Sequence, residues 1–166
     1  MGWWGHDVLS GDGPLDVLDT LARQAGLVDP AVLGVYPHGR VDDPHARQAV
    51  VELLAGRDMG GWEELAAALP GTGSDDMLVW QVLGAVALAA GVALPEPVRD
   101  RIDRSAAEDL WAQTDPARRA AMDRFRAALA VHRDTPTVVA SSTVGDAMGR
   151  ARQVGHTGLL NLPGPP

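Results

Sequence analysis

The stretch MLVWQVLGAVALAAGVAL, residues 77–94, decides the fold of this 166-residue chain because it is almost entirely apolar. Eighteen such residues reach the length at which a membrane span must be considered. Seven of them are Ala or Gly, however, Gln81 interrupts the run, and no basic residue flanks either end to set an orientation. We therefore expect a central helix that is buried on most of its sides, and no membrane association.

Capping signals on both sides of this stretch predict further helices. An Asp before a Pro at the first helical position is a typical helix start, as at Asp43-Pro44 and Asp115-Pro116. Asp12 or Gly13 is expected to cap a helix that begins at Pro14. With the central stretch, the predicted helices are 14–25, 44–57, 62–69, 95–113 and one from 116 that ends before 134–136.

Side-chain spacing adds detail to these helices. Arg99 and Asp103 lie four residues apart on the predicted helix 95–113 and are expected to form an ion pair. Met59-Gly60-Gly61 is expected to interrupt the chain before the short helix 62–69. The last long helix carries one apolar stripe, formed by Met122, Phe125, Leu129 and His132.

The last thirty residues differ in character from the rest. Thr137–Ala140 is compatible with a short strand and Thr143–Gln153 with a small helix, followed by a Pro/Gly tail. We therefore predict a helical domain over residues 1–135 and a C-terminal segment over 136–166. The predicted fold class is mainly α: a single-domain orthogonal bundle of six or seven helices with an irregular C-terminal segment.

Composition excludes several kinds of chemistry. The chain has no Cys, which excludes disulfides, zinc–thiolate sites and thiol catalysis. All 14 basic residues are Arg, as in proteins from GC-rich bacteria, and the absence of Lys excludes Schiff-base catalysis and a P-loop lysine. The N-terminus lacks the basic and apolar regions of a secretory signal, so we expect a cytoplasmic protein.

Charge is distributed unevenly along the chain. Residues 1–94 contain 13 acidic residues and 4 Arg, whereas residues 95–166 contain 9 acidic residues and 10 Arg. Nucleic-acid binding is not expected, because no basic stripe could replace phosphate counterions. The acidic half suits either a basic protein partner or a solvated surface that keeps the protein soluble.

Two N-terminal motifs, Met1-Gly2-Trp3-Trp4-Gly5 and Gly11-Asp12-Gly13-Pro14-Leu15-Asp16, carry a resemblance. They are similar to the opening of a family of small, mostly helical bacterial proteins of unknown function, which begin with Met-Gly-x-Trp-Gly and an Asp-rich turn. The apolar helix 77–94 and Leu110-Trp111 add a weaker similarity. The region after Thr137 has no counterpart in the family. The resemblance implies a soluble helical fold and supplies no catalytic residue.

An acidic cluster near the N-terminus is the sharpest candidate site. Asp12, Asp16 and Asp19 lie four and three residues apart, so two of them could share a helix face. Calcium and magnesium prefer such oxygen ligands, although this spacing does not fit an EF-hand loop. The simpler interpretation is that the carboxylates stabilise a helix N-terminus. We expect no metal or other cofactor, and keep this cluster as the alternative metal site.

Four residues are candidates for catalysis: His6, Asp7, His38 and His156. His38 and His156 fall in expected loops, where functional groups concentrate, and imidazoles titrate near neutral pH. No two His residues have the H-x-x-x-H spacing of a helical zinc site.

Three tryptophans are candidates for contact with a partner: Trp3, Trp4 and Trp62. Adjacent side chains on an extended segment point to opposite faces, so Trp3 or Trp4 is expected to stay partly exposed. An exposed Trp beside acidic side chains would suit a protein interface. Trp80 and Trp111 are expected in the core.

No recognised catalytic motif is present, so the first functional hypothesis is a non-enzymatic binding or regulatory module that uses its acidic N-terminal half to bind a protein. The alternative is an enzyme or accessory protein of small-molecule metabolism, with a His/Asp site in a cleft between helices. Homodimerisation through residues 77–94 or the C-terminal tail is a further hypothesis.

Overall fold

Seven helices form the part of the chain that the computed structural model describes, namely residues 6–28, 41, 43–71 and 76–137. No strand occurs within these ranges, so the prediction of a mainly α-helical bundle is confirmed. The helices are α1 (Asp12–Gln24), α2 (Pro44–Leu54), α3 (Met59–Ala67), α4 (Met77–Ala90), α5 (Glu96–Ala107), α6 (Leu110–Thr114) and α7 (Pro116–Val131). The predicted helix Thr143–Gln153 and all but the first residue of the predicted strand lie outside the described residues.

The central apolar stretch forms α4, which contacts α1, α2, α3, α5 and α7. Every residue from Val79 to Ala90 is buried. Gly91 ends the helix in the left-handed conformation, with φ of 79°, which a side chain would strain. No helix among the described residues has the length and apolar character needed to cross a membrane. Other helices of the chain pack against α4, and homodimerisation through residues 77–94 or the C-terminal tail stays a hypothesis.

Gly84 marks the closest approach between α4 and its neighbours. A Cβ atom at this position would lie 2.5 Å from Cγ2 of Ile102 on α5 and 3.0 Å from Cζ of Phe125 on α7. All three residues are buried. The absent side chain therefore allows α5 and α7 to pack against the central helix at this point.

Aspartate side chains cap five of the helices. Asp43 and Asp115 accept hydrogen bonds from the first backbone N–H groups of α2 and α7, as predicted. Asp58, Asp76 and Asp109 cap α3, α4 and α6 in the same way. Each carboxylate satisfies donors that have no partner within the helix.

The predicted cap of α1 was wrong. The helix begins at Asp12 instead of Pro14, and Gly11 is its N-cap with no side-chain hydrogen bond. Gly11 adopts a φ of 138°, which favours Gly. Asp12 consequently lies in the first turn, where its negative charge faces the positive end of the helix dipole.

Two predicted helix boundaries were also wrong. Met59-Gly60-Gly61 forms the first turn of α3 instead of a break, because Asp58 accepts a hydrogen bond from Gly61 N at 2.9 Å. The predicted helix 95–113 is divided at residues 108–109, where Asp109 starts the separate helix α6.

The stripe predicted on the last long helix is confirmed, since Met122, Phe125, Leu129 and His132 are all buried. His132 follows the end of α7, and its Nε2 lies 2.8 Å from Val92 O. Arg99 donates from Nη1 to the carbonyls of Leu129 and His132 at 2.7 and 3.0 Å. Arg99 thus satisfies carbonyls at the end of α7.

Candidate functional site

A buried arginine organises the end of the bundle where α7 begins. Arg118 is 1% exposed, and its Nε and Nη2 donate to Oδ2 of Asp109 at 3.1 and 2.8 Å. Nη2 also donates to Oε1 of Gln81 at 2.8 Å. Nη1 donates to the backbone carbonyls of His6 and Asp7 at 3.1 and 2.9 Å. One guanidinium therefore joins the N-terminal segment, α4, α6 and α7.

Asp109 is the counterion of this arginine. Burial by itself raises the pKa of the Asp109 carboxyl, but hydrogen bonds from Ala112 N, Arg118 and Gln81, together with the charge of Arg118, hold the pKa below its ordinary value. Asp109 is therefore ionised at neutral pH. Its second oxygen, Oδ1, accepts from Ala112 N at 2.8 Å and caps α6.

Gln81 completes the network from the central helix. Its Nε2 donates to Ser105 O at 2.9 Å and to Asp109 Oδ2 at 3.1 Å. Within the described residues, the side chain of Gln81 bonds to Ser105, Asp109 and Arg118, all of which are buried. The arrangement satisfies polar groups that would otherwise be costly to bury, so we interpret it as a structural node.

The network was not predicted from the sequence, although a signal for it exists. Arg118 lies four residues before Met122, and therefore extends the predicted apolar stripe of α7 by one turn. Gln81 is likewise the single polar residue between Met77 and Ala90. A charged and a polar residue at core positions of two helices indicate a buried pairing.

His6, a candidate catalytic residue, lies at the surface beside α6 and α7. Its Nε2 is 3.5 Å from Oδ2 of Asp115, and its ring centroid is 5.4 Å from that of Trp111. The pKa of Asp115 is lowered, first by the hydrogen bond from Arg118 N and then by Ala117 N and the charge of His6. Asp115 therefore holds His6 while it caps α7.

Asp7, the neighbouring candidate, is buried and faces a different group. Its Oδ1 accepts from Nη2 of Arg124 at 3.2 Å. Val8 and Leu9, which follow it, are also buried. The segment from His6 to Ser10 is therefore held to the bundle by both polar and apolar contacts. The structure does not pair Asp7 with His6, and the remaining candidates His38 and His156 lie outside the described residues.

The acidic cluster on α1 does not converge on one point. Asp19 forms an ion pair with Arg23, whereas Asp16 is exposed. Asp12 lies in the first turn of the helix. Within residues 6–28, 41, 43–71 and 76–137, no three His, Asp or Glu side chains are arranged to hold a metal ion.

Of the tryptophans considered for partner contact, Trp62 is fully buried on α3. Its side chain belongs to the core instead of the surface, because α3 packs its apolar side against α4 and α5. The Nε1 donor of Trp62 has no hydrogen-bond partner among the described residues. Trp3 and Trp4 lie outside those residues. Trp80 is buried as expected, and Trp111 is half-buried beneath His6.

A cleft of about 350 Å³ lies between the end of α5, α6 and α7. Its apolar lining includes Ala106, Ala112 and Met122. Its charged lining consists of Asp109, Arg119, Asp123 and Arg126. The cleft therefore adjoins the buried network and offers both apolar and ionic contacts, as small-molecule sites do.

The charged residues of the cleft differ in how they are neutralised. Arg126 forms a two-bond ion pair with Asp103, from Nε at 2.8 Å and Nη2 at 3.0 Å, which raises the pKa of Arg126. Asp103 thus pairs with Arg126 on α7, and Arg99 bonds to backbone carbonyls. The predicted ion pair between Arg99 and Asp103 was therefore wrong. Arg119 instead donates to the carbonyls of Ala112 and Gln113 at 3.0 and 2.8 Å.

Comparison of this chain with known protein families, with curated proteins and with solved structures finds no match. The resemblance to the Met-Gly-x-Trp-Gly family therefore stays a prediction, and the first of its motifs lies outside the described residues.

Proposed function

We propose that this chain is a non-enzymatic binding module whose acidic N-terminal half contacts a positively charged protein surface. The observation that carries the proposal is the excess of acidic residues in residues 1–94, which contain 13 acidic residues and 4 Arg. Such a field attracts a basic partner and speeds its association.

Exposed acidic side chains without counterions support this interpretation. Asp16 on α1 and Glu63 and Glu64 on α3 are exposed, and their carboxylates form no ion pair within the described residues. Both helices contact α4. In the C-terminal half, by contrast, Asp103 and Asp109 are neutralised by arginines. Over the whole sequence, the net negative charge lies in residues 1–94, because the 9 acidic residues of 95–166 are offset by 10 Arg.

The way in which the polar side chains are bonded to one another also favours a binding role over a catalytic one. The strongest polar constellation, around Arg118, is buried and internally satisfied. His6 is paired with Asp115, whose other oxygen caps α7. A catalytic site would need several such groups to converge with access to a substrate, and the described residues contain one exposed His–Asp pair.

The test measures binding of a fluorescent arginine-rich peptide by anisotropy at several salt concentrations. The variant Asp16→Asn/Glu63→Gln/Glu64→Gln should weaken binding about tenfold, if each surface pair contributes about 0.5 kcal/mol. The matched control is Glu96→Gln/Asp100→Asn/Glu108→Gln, which removes three exposed carboxylates from the C-terminal half. Equal weakening by both variants, or no binding by the unmodified chain at low salt, would contradict the proposal.

A further inference from the structure

We propose that the cleft between α5, α6 and α7 binds a small zwitterion with an apolar side chain, of which a free aliphatic α-amino acid is the simplest example. This inference concerns the other half of the chain and does not depend on the proposed protein binding. Its basis is the balance of charge and apolar surface around the cleft.

Two of the four charged residues that line the cleft are already neutralised. Asp109 faces Arg118 at 2.8 Å, and Arg126 faces Asp103 at 2.8 Å. Neither pair leaves a net charge for a ligand.

The other two, Arg119 and Asp123, are exposed and form no ion pair within the described part of the chain. Arg119 is bonded to the carbonyls of Ala112 and Gln113, which orient its guanidinium but do not cancel its charge. The carboxylate of Asp123 accepts no hydrogen bond there, and its charge acts on Arg126, whose pKa it helps to raise. The cleft thus presents a guanidinium and a carboxylate that each lack a direct ion-pair partner among the described residues.

The spacing of these two charges fits a zwitterion. Arg119 and Asp123 lie four residues apart on α7, so their Cβ atoms are about 5–6 Å apart on the same helix face. They do not form an ion pair with each other. An α-amino acid carries its carboxylate and ammonium on one carbon, and it can therefore bridge the two side chains, with its carboxylate toward Arg119 and its ammonium toward Asp123.

The remaining lining suits an aliphatic side chain. Ala106, Ala112 and Met122 line the cleft, so an apolar group that enters would lie against them. The volume of about 350 Å³ lies at the small end of the range for ligand pockets. A compact ligand is therefore favoured over a peptide.

The test uses calorimetric titration of the full chain with leucine. The matched probes are isocaproate, which lacks the ammonium, isoamylamine, which lacks the carboxylate, and glycine, which lacks the side chain. Leucine should bind at least about tenfold more tightly than each of them. Isocaproate or isoamylamine binding as tightly as leucine, or an absence of leucine binding at millimolar concentration, would overturn the proposal.

The variant Asp123→Asn should weaken leucine binding at least about tenfold and leave the weak binding of isocaproate unchanged. Asp134→Asn is the control, because it removes an exposed carboxylate beyond the end of α7. Backbone amide shifts caused by leucine should concentrate at the end of α5, in α6 and in the first half of α7. Shifts confined to other helices, or equal binding by both variants, would contradict the assignment.

Discussion

Nη2 of Arg118 lies 2.8 Å from Oδ2 of Asp109, and neither side chain is more than 8% exposed. The pair fixes the start of α6 against the first turns of α7. The same guanidinium holds the carbonyls of His6 and Asp7 from the opposite end of the sequence. Arg118 therefore bonds both to the start of α6 and to the N-terminal segment.

Replacing this arginine should destabilise the fold strongly. Arg118→Met keeps much of the apolar stem but leaves the carboxylate of Asp109 buried without its counterion, which costs about 3–5 kcal/mol of unfolding free energy. Urea denaturation followed by circular dichroism measures the loss.

Two further variants sharpen this test. Arg104→Met makes the same substitution at an exposed position of α5 and should change stability by less than about 0.5 kcal/mol. Arg118→Lys keeps the charge but cannot make the five-donor contacts, so its stability should fall between that of Arg118→Met and that of the unmodified chain. A loss below about 1 kcal/mol for Arg118→Met would show that the pair is not essential to the fold.

Acid should destabilise the protein through Asp109. The folded-state pKa of this carboxyl lies below its ordinary value of 3.8, so the unfolded chain binds the proton more readily. The contribution is complete above pH 3.8 and is lost as the pH falls through the lower folded-state pKa. Unfolding free energies measured from about pH 6 to about pH 2 should show the loss.

The variant Asp109→Asn provides the comparison for this pH dependence. At neutral pH it should be less stable than the unmodified chain, because Arg118 then lacks a counterion. Below pH 3.8 the difference between the two proteins should shrink, since Asp109 itself becomes protonated. A difference that stays constant over the whole range would contradict the lowered pKa.

The sequence predicted those features of the fold that depend on local signals. The apolar run at 77–94 indicated the central helix, and the Asp-Pro steps at 43–44 and 115–116 indicated two helix starts. The stripe that ends at His132 identified the buried side of α7. Each of these rests on spacing or capping within a few residues, which a single sequence displays directly.

The division between α5 and α6 could not be predicted in the same way. No Gly or Pro separates residues 98 and 115, so the local pattern favours one continuous helix. The break arises because Asp109 leaves the helix to cap α6 and to meet Arg118 and Gln81, and those partners are distant in sequence. The candidate cleft was missed for the same reason, since its lining comes from three helices whose relative placement depends on this break.

The N-terminal segment should contribute to stability although it is not helical. Leu9 is 2% exposed, so Leu9→Ala should cost about 2–5 kcal/mol of unfolding free energy. Val28 is fully exposed after α1, and Val28→Ala should change stability by less than about 0.5 kcal/mol. Chemical denaturation of both variants tests the difference. Similar values would mean that the segment from His6 to Ser10 does not belong to the cooperative core.

The close packing at Gly84 predicts that the substitution of Gly by Ala has different effects at two helical sites. Gly84→Ala places a methyl group 2.5 Å from Cγ2 of Ile102, and such overpacking costs about 1–3 kcal/mol.

Gly60→Ala, in the first turn of α3, meets no atom closer than 3.6 Å and should be neutral or stabilise the protein by up to about 1 kcal/mol. In the double variant Gly84→Ala/Ile102→Ala, the loss of unfolding free energy should be smaller than the sum of the losses in the two single variants, because Ile102→Ala removes the clashing atom. Thermal and urea unfolding measure the stability of the three single variants and the double variant relative to the unmodified chain. Strict additivity, or equal effects at Gly84 and Gly60, would place the contact between α4 and α5 elsewhere than at Ile102.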